Sequence, residues 1–329
     1  MGKFLESEKI IQVEFKKTSP LLSSKAGLDG EYKNKPRPFC LPVDLACENL
    51  SPHIRESAIA FFKAHKIKWH DGKNGEPSNH LCDSQVCCVN FLFPFAYQPQ
   101  ALKSLLVSVL PMIDEMLPVE DGAFVSFEWI GDRNYLGEKK AKNATRSRGA
   151  NFTSADAVVR FRDLKGEVQV VLIEWKYTES YSPVNLMVAK SGTNRLGIYE
   201  HLLRSTDSPI KLPRITSLES LFYEPFYQFM RQQLLAHEME KAGELKANTV
   251  SVLHIAPVHN IDFKRVTSSE LKGAGKTAID AWRTLVSEDI FKSIYTEELF
   301  NIECLTRIPG LEIHVAYLLE RYKTLVARI

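Results

Sequence analysis

Apolar positions in this chain recur with two different periods, and the change of period marks the elements. Between residues 98 and 117, Leu102, Leu105, Leu106, Val109, Ile113 and Met116 return at helical spacing, with Pro111 placed to kink or split the helix. Residues 123–130 (AFVSFEWI) predict a strand. Two apolar runs follow, 157–161 and 168–173, joined by a polar, glycine-containing turn at 163–167, and together they predict a β-hairpin. Their near-continuous apolar character belongs to strands covered on both faces. Residues 220–241 predict a helix, with Pro225 in its first turn, an apolar stripe of Phe226, Phe229, Met230, Leu234 and Leu235, and Gly243 to stop it. Residues 249–255 (TVSVLHI) predict one more strand. The order from 98 to 257 is therefore helix, strand, strand, strand, helix, strand.

The flanks are less regular. Residues 1–35 are polar and lysine-rich, with Pro20, Pro36 and Pro38 following or punctuating them, and predict an irregular arm. Residues 52–67 carry Ile54, Ile59, Phe61, Phe62 and Ala64 among charges, an amphipathic helix. Asp83 or Ser84 can cap a short helix that Pro94 ends. Residues 180–220 show little periodicity and predict an irregular excursion. Residues 276–294 predict an amphipathic helix, and 314–329 a closing strand or helix. This divides the chain into an arm and helical region at 1–97, a core at 98–260 and a helical extension at 261–329, packed as one domain. Gly275-Lys276-Thr277 is no phosphate-binding loop, because Glu270 stands where its first glycine belongs.

Candidate chemistry gathers at the hairpin. Asp156 opens its first strand, and Glu174 and Lys176 close its second. Residues two apart on a strand share a face, so Glu174 and Lys176 project together. Folding the hairpin brings Asp156 toward Glu174. Charges beside a core need compensation. Two carboxylates and a lysine at a strand end suit a divalent metal, with the carbonyl of Ile173 or Trp175 as a further oxygen ligand. Lys176 would then orient water or stabilise a phosphate. A basic segment holding Lys139, Lys140, Lys142, Arg146 and Arg148 enters just before the hairpin, where it can track a phosphate backbone. Lys190 and Arg195 on the later excursion are further candidates for the same role.

Asp156 followed by Glu174-Trp175-Lys176 resembles the signature of the PD-(D/E)xK nuclease superfamily. The wider wording, Ser154-x-Asp156-Ala157 with Glu174-Trp175-Lys176-Tyr177-Thr178-Glu179, is similar to one restriction-endonuclease-like family within it. Ala155 replaces the proline of the superfamily's name. The resemblance implies a restriction-endonuclease-like αβββαβ core, an α/β fold with a four-stranded mixed sheet flanked by helices and an N-terminal helical elaboration. It also implies that Asp156 and Glu174 hold Mg²⁺, with Mn²⁺ able to substitute, and that Lys176 assists hydrolysis. By the same resemblance Glu128, with Glu138 behind it, is the candidate third acid, and Gln232 on the following helix is a candidate site glutamine. The segment containing His80, Ser84, Gln85 and Asn90, with Trp69-His70 before it, also fits the family and would place those four side chains toward the substrate backbone. The implied activity is phosphodiester hydrolysis in double-stranded DNA, of restriction or defence type, with a homodimer suited to a double-strand cutter.

Composition changes this picture little. With 42 Lys and Arg against 40 Asp and Glu, any basic groove must be local. No apolar run approaches a membrane span and no signal-like segment opens the chain, so a cytoplasmic location is expected and no membrane partner. Six cysteines lack the paired clips of a zinc site and are expected as reduced core residues. Two rival readings keep the fold: a binding module that recognises nucleic acid or a partner without cutting, and an RNA-directed nuclease.

Overall fold

The computed structural model describes residues 2–138, 146–150 and 152–326. Its helices are α1 (Lys3–Thr18), α2 (Arg55–Ala64), α3 (Ser84–Leu92), α4 (Pro99–Leu106), α5 (Leu196–Leu203), α6 (Phe226–Lys241), α7 (Ala278–Leu285), the single turns α8 (Thr296–Leu299) and α9 (Ile302–Leu305), and α10 (Glu312–Arg321). Strands β1 (Gly30–Tyr32) and β2 (Lys35–Arg37) make a small separate hairpin. The main sheet takes β3 (Ile113–Leu117), β4 (Val125–Trp129), β5 (Ala155–Asp163), β6 (Val168–Trp175), β7 (Thr249–Ala256) and β8 (Phe291–Tyr295).

The predicted hairpin is the middle of that sheet. Asp163 fixes its turn, its Oδ1 accepting from the Lys165 and Glu167 amides at 2.9 Å each. β5 and β6 pair antiparallel, while β6–β7 and β7–β8 pair parallel. β3 and β4 both run antiparallel to β5, β3 beside residues 160–163 and β4 beside 155–159, so they share one edge. The sheet therefore has six strands rather than the expected four. One extra strand replaces the second half of the helix expected at 98–117. That helix ends at Leu106, and beyond Pro111 the chain joins the sheet edge. Ile113 and Met116 have helical spacing, and a bulge between Ile113 and Glu115 lets both turn inward where the chain pairs with the open edge of β5. The other replaces the end of the helix expected at 276–294, where Phe291 to Tyr295 extend the parallel sheet. Within the excursion at 180–220 the chain forms α5.

Helices cover both faces. Val158, Val170, Leu172, Val250 and Val252 pack beneath α6 and α7. Val159, Phe161, Val171, Ile173 and Trp175 pack against α2, α3 and α10. Residues from 1–97 and 261–329 share this second core with the central segment, as the rings of Phe91, Trp175, Phe300 and Tyr322 show. Among the described residues no helix is long and apolar enough to cross a membrane.

The expected N-terminal arm is a 16-residue helix. Its buried face is largely polar, with only Phe4 and Phe15 entering the core, which conceals it from hydrophobic periodicity: Glu8, Gln12 and Lys16 lie four apart and face inward. Glu8 accepts from Tyr177 and Thr324 at 2.7 Å each. Lys16 donates to the carbonyls of Leu28 and Cys40. Gln12 meets Arg321, whose guanidinium is fully buried. Arg321 also donates to Tyr317 Oη at 2.7 Å, to Leu81 O at 3.2 Å, and to both the carbonyl and side-chain oxygens of Asn49. Removing it strands several buried acceptors at once. Arg321→Met should lower the unfolding free energy by about 3–5 kcal/mol, read from the urea midpoint, whereas a loss under about 1 kcal/mol would mean the network is replaceable.

Candidate active site

The ladder between β5 and β6 sets the site. Ala157 pairs with Ile173, and one further step in that register puts Asp156 opposite Glu174. Directly opposed residues have Cβ atoms about 5 Å apart. Alternation along β6 gives Glu174 the same face as Val170 and Leu172, beneath α6. Lys176 follows on that side, and its Nζ lies 2.5 Å from Glu174 Oε1. Both are buried, Glu174 at 1% exposure and Lys176 at 4%. Asp156 Oδ2 accepts from the Trp175 amide at 2.7 Å, and its second oxygen has no hydrogen-bond partner among the described residues.

Two amides bracket the acids from opposite layers. From α6, Gln232 Nε2 donates to Glu174 Oε2 at 2.7 Å and to the Ser154 carbonyl at 2.5 Å. Its Oε1 is buried with no partner among the described residues. From α3, Gln85 Nε2 donates to Glu128 Oε1 at 2.7 Å. Ser154 Oγ donates to the other oxygen of Glu128 at 2.7 Å. Glu128 has φ +50, a left-handed conformation inside β4 that costs about 1–3 kcal/mol. The reversal breaks the alternation of β4: Val125 and Phe127 belong to one core and Trp129 to the other.

Three acids thus gather at one place, with Lys176 paired to Glu174. Burial drives the Asp156 carboxyl well above its usual range, the facing Glu174 adds to this, and Lys176 opposes it. Burial likewise raises Glu128, against the Ser154 and Gln85 hydrogen bonds, and Glu174 adds to the rise. Burial pulls Lys176 down, but Glu174 together with Tyr181, Glu179 and Asp156 outweighs it and holds the ammonium above its usual range. The surplus negative charge opens on a cleft of about 280 Å³ lined by His70, Ser84, Gln85, Glu128, Asp156 and Lys176. Among the described residues no three His, Cys, Asp or Glu side chains form a ready-made ligand group. Mg²⁺ does not need one, since it commonly takes one or two carboxylates and completes its shell with water and phosphate oxygens. Asp156, with a spare oxygen and an unfavourable charge, and Glu174 opposite it fit that donor set, with the Trp175 carbonyl beside them.

The family comparison agrees with the resemblance. A family model described as Restriction Endonuclease associating with ARP (REase-ARP) matches residues 9–323. The chain belongs to this family. No curated protein and no solved structure matches it. Membership gives the REase-ARP chain a nuclease-related role.

Of the residues singled out from the sequence, Asp156, Glu174, Trp175, Lys176, Glu128, Gln232, Ser84 and Gln85 come together around the cleft. Gln85 faces Glu128 and the backbone of residues 68–70. Six others lie away from it. His80 packs between Tyr32 and Phe39, with burial lowering its pKa to about 4. Asn90 is buried, joining Asn49, Ser51 and Tyr322. Arg146 binds the carbonyls of Ile130 and Gly131. Arg148 pairs with Glu120 at 2.9 Å and also binds Ser126 and Phe127. Arg195 donates to the Leu186 carbonyl at 2.8 Å and lies over Tyr227. Lys190 is exposed on a turn and is not part of the cleft lining. Lys139, Lys140 and Lys142 lie outside the described residues. Glu138 accepts from Thr153 and Tyr199 behind the site. Ser154 and His70 have places at the site that no role in the sequence reading anticipated, although both stand in the wording that carries the resemblance.

The charge surplus has a measurable consequence. A carboxyl with a raised folded-state pKa costs no stability at low pH, where it is protonated in both states, and becomes destabilising as pH rises past the unfolded value. Asp156→Asn keeps an oxygen for the Trp175 amide and removes the charge. In metal-free protein it should raise the thermal midpoint at pH 7, with the gap to wild type closing below the usual carboxylate range. A variant less stable than wild type at pH 7 would contradict this electrostatic account.

Proposed function

We propose that this REase-ARP chain is a Mg²⁺-dependent PD-(D/E)xK nuclease that hydrolyses phosphodiester bonds in double-stranded DNA. The observation that carries the reading is the convergence of Asp156, Glu174 and Lys176 at one end of the β5–β6 hairpin, with more negative charge than the lysine balances. The order α4, β4, β5, β6, α6, β7 also follows the superfamily's αβββαβ core, with β3, α5 and β8 as additions.

In this reading Asp156 and Glu174, with the Trp175 carbonyl, hold the cation. When bound, Mg²⁺ or Mn²⁺ polarises the phosphoryl oxygen and acidifies water. Lys176 sets its ammonium beside that water and the phosphate, where positive charge is needed as the transition state gains negative charge. Gln232 and the Lys176 ammonium each engage one oxygen of Glu174 and so keep its carboxylate from rotating. Gln85 and Ser154 do the same for Glu128, the third acid. Restriction or defence use, a cytoplasmic setting, pairing of two copies across a duplex and the ARP association named by the family belong to the same proposal.

Purified protein with Mg²⁺ or Mn²⁺ should cut duplex DNA, and cut RNA less efficiently. Asp156→Asn and Lys176→Met should each lower the rate by about 100-fold or more while remaining folded. Mg²⁺ should raise the thermal midpoint of wild type and not that of Asp156→Asn. Undiminished cutting by both variants would overturn the assignment.

A further inference from the structure

Hydrolysis of a phosphodiester expels an alkoxide, a strong base that departs readily only when it receives a proton. Lys176 is a poor source, because its ammonium is locked to Glu174 and held above its usual pKa. The acids beside it have the roles given above. Of the side chains that line the cleft, imidazole is the one that ordinarily exchanges a proton near neutrality.

We propose that His70, steered by Asp83, is the general acid that protonates the departing oxygen of the scissile phosphodiester. This rests on the nuclease reading. His70 follows α2 in a turn at the mouth of the cleft, and its side chain is 69% exposed. Its Nδ1 lies 3.6 Å from Asp83 Oδ2. That spacing makes an ion pair rather than a formed hydrogen bond, and catalytic contacts of this kind commonly tighten when substrate binds. Asp83 is itself anchored, since its Oδ1 caps α3 by accepting from the Val86 amide at 2.8 Å. With Nδ1 directed to Asp83, Nε2 is left without a hydrogen-bond partner among the described residues.

The backbone around His70 is held as firmly as the acids. Gln85 Oε1 accepts from the His70 amide at 2.7 Å while its Nε2 donates to Glu128, so one side chain ties the histidine turn to the metal-side acid. On the other wall, the Lys68 amide donates to the Arg148 carbonyl at 3.1 Å. The adjoining Gly149 has φ +71, and a Cβ there would stand 2.2 Å from the Lys68 carbonyl oxygen. Only glycine permits that approach. The Asp83 contact raises the imidazole above its ordinary pKa, partial burial opposes this, and Asp71 and Glu128 add to the rise.

The step balances without a further reagent. The oxygen of water bonds to phosphorus as the bond to the leaving oxygen breaks, and that bond's electron pair departs with the oxygen. The Nε2 proton of His70 passes to it and yields the alcohol. The attacking water loses its proton to solvent, and His70 regains one from solvent.

The test compares duplex DNA with bis(p-nitrophenyl) phosphate, whose p-nitrophenolate leaves without protonation, both with Mn²⁺. His70→Ala should lower DNA cleavage by about 100-fold and aryl ester hydrolysis by less than about 3-fold. Asp83→Asn, which retains a capping side chain for α3, should give a smaller loss on DNA and none on the ester. Equal losses on both substrates, or no loss on either, would overturn the acid role while leaving the nuclease standing. A wild-type protein that cleaves neither substrate would instead remove the nuclease reading and this inference with it.

Discussion

Two carboxylates facing each other across one step of a β-ladder, with a single ammonium to answer them, are the constraint around which this protein is arranged. Asp156 and Glu174 are close because an antiparallel register leaves them no alternative, and the apolar runs on either side of them fix that register. A slip by one residue would drive every valine of the hairpin to the opposite face. The hydrophobic core thereby holds together charges that repel one another. A cation would relieve that repulsion, as would one carboxyl keeping its proton.

The neighbouring layers keep the acids in place rather than neutralising them. α6 sends in Gln232 and α3 sends in Gln85, and both use neutral amide donors. Amides satisfy carboxylate oxygens without supplying positive charge. The left-handed turn of Glu128 belongs to the same arrangement. It redirects one side chain from β4 to the cleft and sends the next, Trp129, to the other core. A second polar network around Arg321 binds α1, Asn49 and α10 into the layer that carries α3. The positions of Gln85 and the His70 turn depend on that layer.

Much of the central segment was legible because its signals are local. The hairpin, its turn, the strand of Glu128 and the long helix α6 all show one period over a sufficient length. The pairing of Asp156 with Glu174 followed from folding one turn. Legibility failed where an element's identity depends on what it meets. β3 and β8 are short runs whose apolar spacing is helical, and open sheet edges drew them into the sheet nonetheless. α1 buries Glu8, Gln12 and Lys16, so a polar stripe that reads as solvated is in fact an interior face. Arg148 and Asn90 stand in segments that promised substrate contact, yet their hydrogen-bonding groups meet Glu120, Tyr322 and main-chain carbonyls.

The sequence alone determined the hairpin, the side from which Glu174 and Lys176 project, and the acid that meets them, because strand alternation and a short turn are properties of neighbouring residues. Tertiary structure alone decided that Gln85 reaches Glu128, that His70 stands at the cleft beside Asp83, and that Arg146, Arg148 and Arg195 serve the fold. Those outcomes require segments tens of residues apart to be packed against one another. No local pattern records which distant partner a polar side chain will find.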